Sequence, residues 1–431
     1  MERFNVRRGP IYNPYMTSPL LSYETAADLV RQRAQQLRAL HKRSEKVSLT
    51  EAAGRLLTAP LIAEADQPLF PRSTRDGFAC RAEEAMRFDW LPIAGSTHAG
   101  QAPAGPMPEG CAWEIMTGAP VPEGADAIVM LEHVEREGER IRMHEEHTSG
   151  TGDNVVPRGA QARKGDVLLL AGTALHAPQI ALAATCGATE LEVAVRPRVA
   201  ILATGDELVA VDREPGPGQI RNSNAPMLAA LVTDAGGEPW VLPAAADTAD
   251  ALDAALRDAM QADMLLISGG VSAGKFDLVE PALAQLGATF HFTGIRIQPG
   301  KPLVFGEVPH DSAEPLPFFG LPGNPISSAV TFLLFASGVV GALAGNLEAG
   351  PRFVLAELAK SIKGRGNAGF TRFFPSYCAF NPQEGQMPLV ATVPWQGSGD
   401  LAAFGRSNCC VVVPEGTPGL DAGTIVRVLL F

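Results

Sequence analysis

The sequence predicts a multidomain protein of mixed α/β and β class, with a central doubly wound α/β domain. At 431 residues, the chain is long enough for about three domains of ~100–200 residues each. Residues 198–335 alternate short buried-strand runs with helical segments, which is typical of a parallel sheet covered by helices. Apolar runs punctuated by Pro and Gly on both sides of this region predict an inserted β-rich module and a C-terminal β-barrel.

The sequence of the N-terminal part predicts a loose extension followed by helices. Residues 1–19 are polar and rich in Pro. Apolar side chains recur at three- and four-residue steps from Tyr23 to Arg43, which predicts an amphipathic helix. A second short helix is expected from Leu49 to Leu57, and helical texture returns from Ala177 to Cys186. We assign these segments to a helical linker region, residues 20–60 and 157–196.

The β-rich module is predicted to occupy residues 61–156, inserted in the linker region. Its apolar runs are only four or five residues long and lie between Pro and Gly, as in Trp113–Met116 and Ala127–Leu131. Short runs bounded by turn residues are the pattern of strands rather than helices.

The α/β domain is predicted to span residues 197–347. Its strand runs are continuously apolar, so each strand is expected to be buried on both faces of a parallel sheet. The predicted strands are Val199–Ala203, Trp240–Leu242, Met264–Ile267 and Leu303–Phe305, and the predicted helices are Met227–Ala235, Ala249–Gln261 and Leu278–Leu286.

An uncharged apolar stretch, Ile326–Gly345, has the length of a membrane span. It carries several hydroxyl side chains, and Asn324-Pro325 supplies a cap and a first-turn proline, as expected for a buried core helix. We therefore expect a core or subunit-interface helix and no membrane association. The tail, residues 350–431, has alternating apolar runs such as Cys409–Val413 and Ile425–Leu430, which predict a small β-barrel.

Charge and cysteine content limit the classes of function. The formal net charge of −12 is opposite to what binding to a polyanionic backbone requires, so no nucleic-acid partner is expected. The six cysteines are spread without metal-ligand spacing, and Cys409-Cys410 is interpreted as part of a strand. The N-terminus has no apolar run of the kind that forms a secretory signal. These features indicate a cytoplasmic protein with mostly buried thiols.

Two loops that follow predicted strands carry the candidate chemistry. In an open parallel sheet, ligands bind beyond the carboxyl ends of the strands. Thr204-Gly205-Asp206-Glu207-Leu208 follows the first strand, and its acids either face a ligand or begin a helix. Ser268–Asp277 follows the third strand and is rich in Gly, so its backbone N–H groups are expected to bind phosphate.

The second of these loops nearly matches a P-loop. Gly269 and Gly274-Lys275 have the required spacing, but Phe276 stands where a P-loop has the Ser or Thr that binds Mg²⁺. A P-loop NTPase is therefore kept only as a remote alternative. His144-Glu-Glu-His147 differs from the zinc signature HExxH because its histidines are three residues apart, and a polar hairpin is expected there.

Taken together and in this order, six segments resemble the molybdopterin molybdenumtransferases, the family of MoeA and the gephyrin E domain. The resemblance covers about residues 20–431. The segments are Asp76–Ala79, Met116–Met130, Thr204–Leu208, Ser268–Asp277, Pro299–Pro302 and Leu321–Pro325.

The resemblance implies a magnesium-dependent reaction that cleaves adenylylated molybdopterin, inserts molybdate at the dithiolene and releases AMP. Glu207 and Asp277 match the acidic positions of the family and are expected to hold Mg²⁺ or its water, with Asp206 and Asp247 as further candidates. The expected binding residues for the pterin phosphate are Thr204, Gly205, Ser268, Gly269, Gly270, Ser272, Gly274, Pro322, Gly323 and Asn324.

The resemblance also implies a homodimer with an active site that both subunits complete. Asp76 and Thr117 match catalytic positions on the β-rich module, which in this family faces the α/β domain of the partner subunit. The alternative interpretation is that both side chains only stabilise turns. Transfer of the product to molybdoenzyme apoproteins, and contact with an upstream adenylyltransferase, are further expectations. The positions associated with molybdate are Lys301, Pro302, Arg372 and Ser398.

Several positions depart from the family pattern, among them Arg75 where an apolar residue is common and Phe78 where Tyr is common. Gln298 stands where a Lys is usual, with Arg296 as an imperfect substitute, and Asp400 is an unusual acid near the molybdate positions. An alternative function is therefore a scaffold or binding protein of the same fold with weakened catalysis. Retention of Glu207, Asp277 and Lys301 favours the enzyme.

Overall fold

The computed structural model describes residues 20–103, 105–270, 278–310, 314–346, 348–364, 367–379 and 386–431. Within these residues the chain forms two compact units. The first contains the chain up to Glu45, Gly54–Leu56 and Ala194–Phe431, and the second contains Lys46–Ala53 and Leu57–Val193. The finer domain boundaries stay predictions.

Helix α1 spans Tyr23–Leu40, close to its prediction. Its N-cap, Ser22, accepts a hydrogen bond from the backbone N–H of Thr25 at 3.1 Å, which satisfies one open donor of the first turn. Val30, Ala34 and Leu37 lie on one face and are buried in the core of the first unit.

The second short helix, predicted for Leu49–Leu57, is wrong. Strand β1 spans Ser44–Ser48 and only turns follow it. The Ser48 hydroxyl and backbone N–H both donate to the Glu51 carboxylate, a pattern that resembles a helix start. Gly54, with φ of +76°, then ends the turn before a helix forms.

The β-rich part of the second unit is built on a six-stranded sheet in the order β7-β4-β6-β5-β9-β8. The Trp113 indole N–H donates to the Thr97 hydroxyl at 2.7 Å inside this module. The elements here are β2 (Leu61–Ile62), β3 (Arg72–Ser73), β4 (Gly77–Cys80), α2 (Ala82–Arg87), β5 (Leu91–Thr97), β6 (Ala112–Ile115), β7 (Ala127–Met130), a 3₁₀ turn (Leu131–His133), β8 (Val134–Glu137), β9 (Arg140–Met143), β10 (Val155–Val156) and β11 (Val167–Leu169).

Helix α3 (Ala177–Thr185) confirms the helical segment expected there, and strand β12 (Glu190–Ala194) follows it. The linker region thus contains the helices α1 and α3 together with several short strands.

The α/β domain contains a six-stranded sheet in the order β16-β13-β17-β21-β20-β18. The first four strands of this order are parallel, and β20 and β18 are antiparallel to their neighbours. The elements are β13 (Arg198–Ala203), β14 (Leu208–Val209), β15 (Ile220–Arg221), α4 (Asn224–Asp234), β16 (Glu238–Val241), α5 (Ala249–Ala259), β17 (Met264–Ser268), α6 (Val279–Gln285), β18 (Thr289–Thr293), β19 (Ile297–Gln298), β20 (Val304–Val308) and β21 (Leu316–Leu321).

The expectation of a parallel sheet throughout is therefore wrong for the strand predicted at Leu303–Phe305. This strand, β20, pairs with β21 as a hairpin, because the connection from Pro309 to Pro315 is too short for a helical crossover. Burial on both faces makes an antiparallel strand as continuously apolar as a parallel one.

The apolar stretch forms one long helix from Pro325 to Leu343, made of α7 (Pro325–Thr331), a π-helical turn (Phe332–Ala336) and α8 (Ser337–Leu343). By length and hydropathy it is the one candidate membrane span among the described residues, and 89% of that window is buried inside the protein. Its side chains pack against α1 and the sheet, which confirms a core helix.

The C-terminal domain is a closed five-stranded barrel, β23-β24-β22-β26-β25, which β23 and β25 complete. Strand β19 extends the barrel sheet by pairing with the start of β23. Cys409 and Cys410 are buried in β25, as predicted, and burial raises the pKa of the Cys409 thiol to about 12. The elements are β22 (Phe353–Leu358), β23 (Thr371–Ala379), β24 (Leu389–Thr392), α9 (Leu401–Phe404), β25 (Cys409–Val413) and β26 (Ile425–Leu430).

Candidate active site

A pocket of about 540 Å³ opens at the carboxyl ends of β13, β17 and β21, where an open α/β sheet binds its ligands. We call it the main pocket. The predicted strand-end loops line it together with the segment before α4. Its lining residues are Ala203, Thr204, Gly205, Glu207, Leu208, Ile220, Arg221, Asn222, Ser223, Asn224, Asp247, Ser268, Gly269, Gly270, Pro302, Pro322, Gly323, Asn324 and Pro325.

Glycines bring the two strand-end loops close together. A Cβ on Gly269 would lie 2.6 Å from the Thr204 carbonyl oxygen, and Gly269 has φ of +94°. Gly270 is similarly confined, since its Cβ would lie 2.9 Å from the Thr204 hydroxyl oxygen. Only glycine fits at these two positions, so this wall of the pocket exposes backbone atoms instead of side chains.

Asn224, the first residue of α4, joins the loops at the floor of the main pocket. Its Nδ2 donates to the Ser268 hydroxyl at 2.8 Å and to the Gly323 carbonyl oxygen at 2.7 Å. Its Oδ1 and the Thr204 hydroxyl are buried and have no hydrogen-bond partner among the described residues. The pocket therefore offers a buried acceptor and a hydroxyl to a polar ligand.

Three carboxylates collect at one side of the main pocket. The backbone N–H of Asp247 donates to Asp206 Oδ1 at 3.0 Å, and Glu207 and Asp247 line the pocket. Partial desolvation raises the pKa of Asp247, and the negative charges of Asp206 and Glu207 add to that effect, although a hydrogen bond from the Asp206 backbone to the Asp247 carboxylate opposes it. Carboxylate oxygens are the ligands that Mg²⁺ prefers, so the chemistry of these side chains fits Mg²⁺.

The predicted molybdate residues are distributed differently. Pro302 lines the main pocket, whereas exposed Lys301 and half-buried Ser398 line neither this pocket nor the next. The carbonyl oxygen of Ser398 accepts from the backbone N–H of Ile326 at 3.0 Å, at the start of α7.

Arg372 lines a second pocket of about 200 Å³, which we call the barrel pocket. The Arg372 side chain is buried, its Nη2 donates to the Thr417 carbonyl oxygen, and burial lowers the pKa of its guanidinium. Gln298 lies opposite Arg372 in the pairing of β19 with β23, and its Oε1 accepts from the backbone N–H of Asn367 at 3.1 Å. The other lining residues are Phe373, Phe374, Trp395, Gln396 and Gly397.

Asp400 begins helix α9 and does not line the barrel pocket. Its carboxylate accepts from the backbone N–H groups of Ala403 and Gln396, and these bonds hold its pKa below the ordinary range. This acid therefore caps a helix.

In the second unit, Asp76 and Thr117 form one exposed polar pair. Asp76 Oδ1 accepts from the backbone N–H of Thr117 at 2.6 Å and from its hydroxyl at 2.8 Å. These hydrogen bonds lower the pKa of Asp76, so the carboxylate is ionised at neutral pH.

Three predicted residues, Ser272, Gly274 and Asp277, lie outside the described residues. Conversely, sequence reasoning missed the segment Arg221–Asn224, which lines the main pocket. A run of polar residues just before a predicted helix is the signal that could have indicated it, since such a segment places backbone N–H groups near a ligand.

Fold and site together define a class: a multidomain protein whose α/β domain has a pocket at its strand ends, lined by glycine-rich loops, buried polar atoms and carboxylates. Three family models match the chain in the same order. They are the MoeA N-terminal region (domain I and II) at residues 21–187, the "Probable molybdopterin binding domain" at 200–342 and the MoeA C-terminal region (domain IV) at 356–431.

Curated relatives cover nearly the whole chain. A molybdopterin molybdenumtransferase of Bacillus subtilis is 35% identical over 90% of both chains, and one of Nostoc is 34% identical over 97% of both. The crystal structure of a molybdopterin biosynthesis MoeA protein from Pyrococcus horikoshii is 30% identical, with a TM-score of 0.75 over 96% of this chain and 99% of that one. The chain belongs to the MoeA family of molybdopterin molybdenumtransferases.

Proposed function

We propose that this protein is the molybdenum insertase of molybdenum-cofactor biosynthesis. It binds adenylylated molybdopterin, cleaves the adenylate and inserts molybdate into the dithiolene with release of AMP. The observation that carries the proposal is the main pocket, which combines glycine loops, buried polar atoms and a carboxylate cluster at one sheet edge. Relatives named for this transfer, at 34–35% identity, support it.

The main pocket is the proposed site for the phosphorylated pterin. The close loops at Gly205, Gly269 and Gly270 let the ligand approach the backbone, where N–H groups bind phosphate oxygens. The Asn224 Oδ1 and the Thr204 hydroxyl orient the polar part of the ligand, because both are buried and neither has a hydrogen-bond partner among the described residues.

Glu207, Asp247 and Asp206 are the proposed residues that hold Mg²⁺, together with Asp277. When bound, Mg²⁺ neutralises charge on the phosphate oxygens as the phosphoanhydride breaks. Glu207 and Asp247 line the same pocket that is proposed to hold the phosphate. Without a cation, these negative charges would repel the anionic ligand.

Molybdate is the second substrate, and the barrel pocket is its proposed entry site. Arg372 supplies a buried cation there, and a guanidinium is suited to a tetrahedral oxyanion. The proposal also keeps Lys301, Pro302 and Ser398. Pro302 lines the main pocket and Lys301 precedes it, whereas Ser398 follows Gly397 of the barrel pocket.

We further propose a homodimer in which Asp76 and Thr117 of one subunit complete the pterin site of its partner. Both side chains are exposed and joined by a hydrogen bond, so they are accessible to a second chain in a fixed arrangement. Transfer of the product to molybdoenzyme apoproteins, supply of substrate by an adenylyltransferase and a cytoplasmic location belong to the same proposal. The location is supported by the six cysteines, all of which are free.

The test is to incubate the purified protein with adenylylated molybdopterin, Mg²⁺ and molybdate and to measure AMP. We expect AMP release that requires all three, and its loss in Glu207→Gln with retained substrate binding. Binding of the substrate without any AMP release would instead favour the scaffold alternative. The observation that favours this alternative is Gln298, which stands where the family usually has a Lys.

A further inference from the structure

Two histidines and a glutamate meet at the open end of the β8–β9 hairpin in the second unit. The backbone N–H of His144 donates to the carbonyl oxygen of His133 at 2.9 Å, one step beyond the pairing of Val134 with Met143. The backbone N–H of His147 then donates to the carbonyl oxygen of His144 at 3.0 Å. The chain thus makes a tight turn directly after β9.

This turn brings three metal-ligating side chains close together. One donor atom each from His144, Glu146 and His147 lies within 4.8 Å of the other two. The HExxH signature needs a helix to align its histidines, whereas here a turn aligns histidines that are three residues apart.

The imidazole of His147 is held in place by stacking. The ring of His133 lies on it with centroids 3.7 Å apart and an interplanar angle of 17°. His144 and His147 are half-buried, and Glu146 is exposed, so the cluster is open to ions from solvent.

We propose that His144, Glu146 and His147 form a binding site for a divalent transition-metal ion of the zinc type. Two imidazole nitrogens and one carboxylate oxygen are the donor set that such ions select, whereas Mg²⁺ prefers oxygen alone. Metal–ligand distances of about 2.0–2.2 Å place tetrahedral donors roughly 3.4 Å apart, so the side chains close by about 1.4 Å at most when the ion binds. Water takes the fourth position.

The experiment is calorimetric titration of the tag-free, full-length protein with Zn²⁺, in excess Mg²⁺ so that the carboxylates of the main pocket are occupied. We expect one Zn²⁺ per chain from this site. His144→Ala and His147→Ala should each weaken its binding more than about tenfold, because each removes one of three protein ligands. Glu146→Gln should weaken it less, since the amide oxygen remains a poor ligand.

Matched controls separate this site from general metal binding. Glu145→Gln removes the neighbouring exposed carboxylate, and His98→Ala removes an exposed imidazole of the same unit; both should bind Zn²⁺ like the wild type. His133→Phe keeps an aromatic ring on His147 and should also retain binding, since His133 supports the site and does not ligate the ion.

Zn²⁺ should also raise the melting temperature of the wild type and the controls but not that of the double variant His144→Ala/His147→Ala. That double variant must melt like the metal-free wild type, which shows that it is folded. Zn²⁺ binding that is absent from the wild type, or equal in the double variant and the wild type, would overturn the proposal.

Discussion

The carboxylate of Asp247 is partly desolvated and lies near two other acids, and this should have a measurable effect on the stability of the protein. Its pKa is raised in the folded protein, so ionisation is less favourable there than in the unfolded chain. The folded state therefore loses stability as the pH rises from the ordinary aspartate range through the raised pKa of Asp247.

We expect Asp247→Asn to be more stable than the wild type at pH 7 in Mg²⁺-free buffer. The difference should vanish as the pH falls below about 3.9, the ordinary pKa of an aspartate, because both proteins are then neutral at this position. Added Mg²⁺ should stabilise the wild type more than the variant. Calorimetric melting measures both effects, with Asp212→Asn, an exposed loop acid, as the control; equal melting of wild type and Asp247→Asn at pH 7 would contradict the prediction.

Gln298 lies beside Arg372 in the barrel pocket, where a second cation would face an oxyanion. A Lys near a dianion gains about 1–4 kcal/mol per unit charge at 4 Å, less desolvation, so Gln298→Lys should tighten apparent molybdate affinity roughly tenfold. The molybdate dependence of AMP release measures it. Gln298→Met, which loses the bond from Asn367 without adding charge, should show no gain; a similar gain in both variants would rule out the charge effect.

The sequence predicts the role of a residue when its local pattern is distinctive, and it does not when the role depends on distant contacts. Gly269 and Gly270 were found because clustered glycines after a buried strand have few uses besides close backbone approach. Asn224 was missed because its role depends on Ser268 and Gly323, which are 44 and 99 residues away along the chain. A single amide gives no local sign of such contacts.

Among the elements, the long helix from Pro325 to Leu343 was predictable because a run of apolar residues behind Asn324-Pro325 has one good solution in a core. The turn after β1 was not, since Ser48 and Glu51 form the contacts of a helix start in a segment that does not continue as a helix. The direction of β20 was equally hidden, because a fully buried strand has the same apolar pattern in either direction.

The same helix contains a polar atom whose removal should stabilise the protein. The Ser328 hydroxyl is buried in α7 and has no hydrogen-bond partner among the described residues. Ser328→Ala removes that unsatisfied group and raises helix propensity, so we expect a gain of about 1 kcal/mol, or a melting temperature higher by about 2 °C.

The control for that measurement is Ser337→Ala in α8. Its hydroxyl donates to the Leu333 carbonyl oxygen at 2.8 Å, so the substitution exchanges a satisfied hydrogen bond for better propensity. We expect little change there. A Ser328→Ala protein that melts at or below the wild-type temperature would show that the hydroxyl is bonded in solution.

At the scale of the whole molecule, the proposed dimer makes a prediction about mixtures. Asp76→Ala and Glu207→Gln should each be inactive, but a re-associated equal mixture should recover about one quarter of wild-type AMP release, since half of the dimers are mixed and each has one intact site. The control is an equal mixture of wild type with an Asp76→Ala/Glu207→Gln double variant: each site of its mixed dimers carries one substitution, so activity should fall to about one quarter instead of the one half that sites within single subunits would leave. Mixtures as inactive as their parents would exclude the shared site.

The order of helical and strand-rich segments was predictable from the sequence, because the hydrophobic pattern changes from the helical period of α1 to short strands and then to strands alternating with helices. The grouping of Leu57–Val193 into one compact unit was not, since it depends on contacts between segments far apart in sequence. The family resemblance supplied the chemistry that periodicity could not.

The pairing of β19 with β23 has a consequence for dissecting the protein into fragments. Ile297 and Gln298 come from the chain before the long helix, yet they cover the backbone of Thr371 and Arg372 at the edge of the barrel. A fragment cut near Gly350 would leave those peptide groups uncovered, and an uncovered strand edge invites aggregation. The barrel should therefore be expressed with residues 297–298 present, and its solubility would depend on a dipeptide more than fifty residues upstream of the cut.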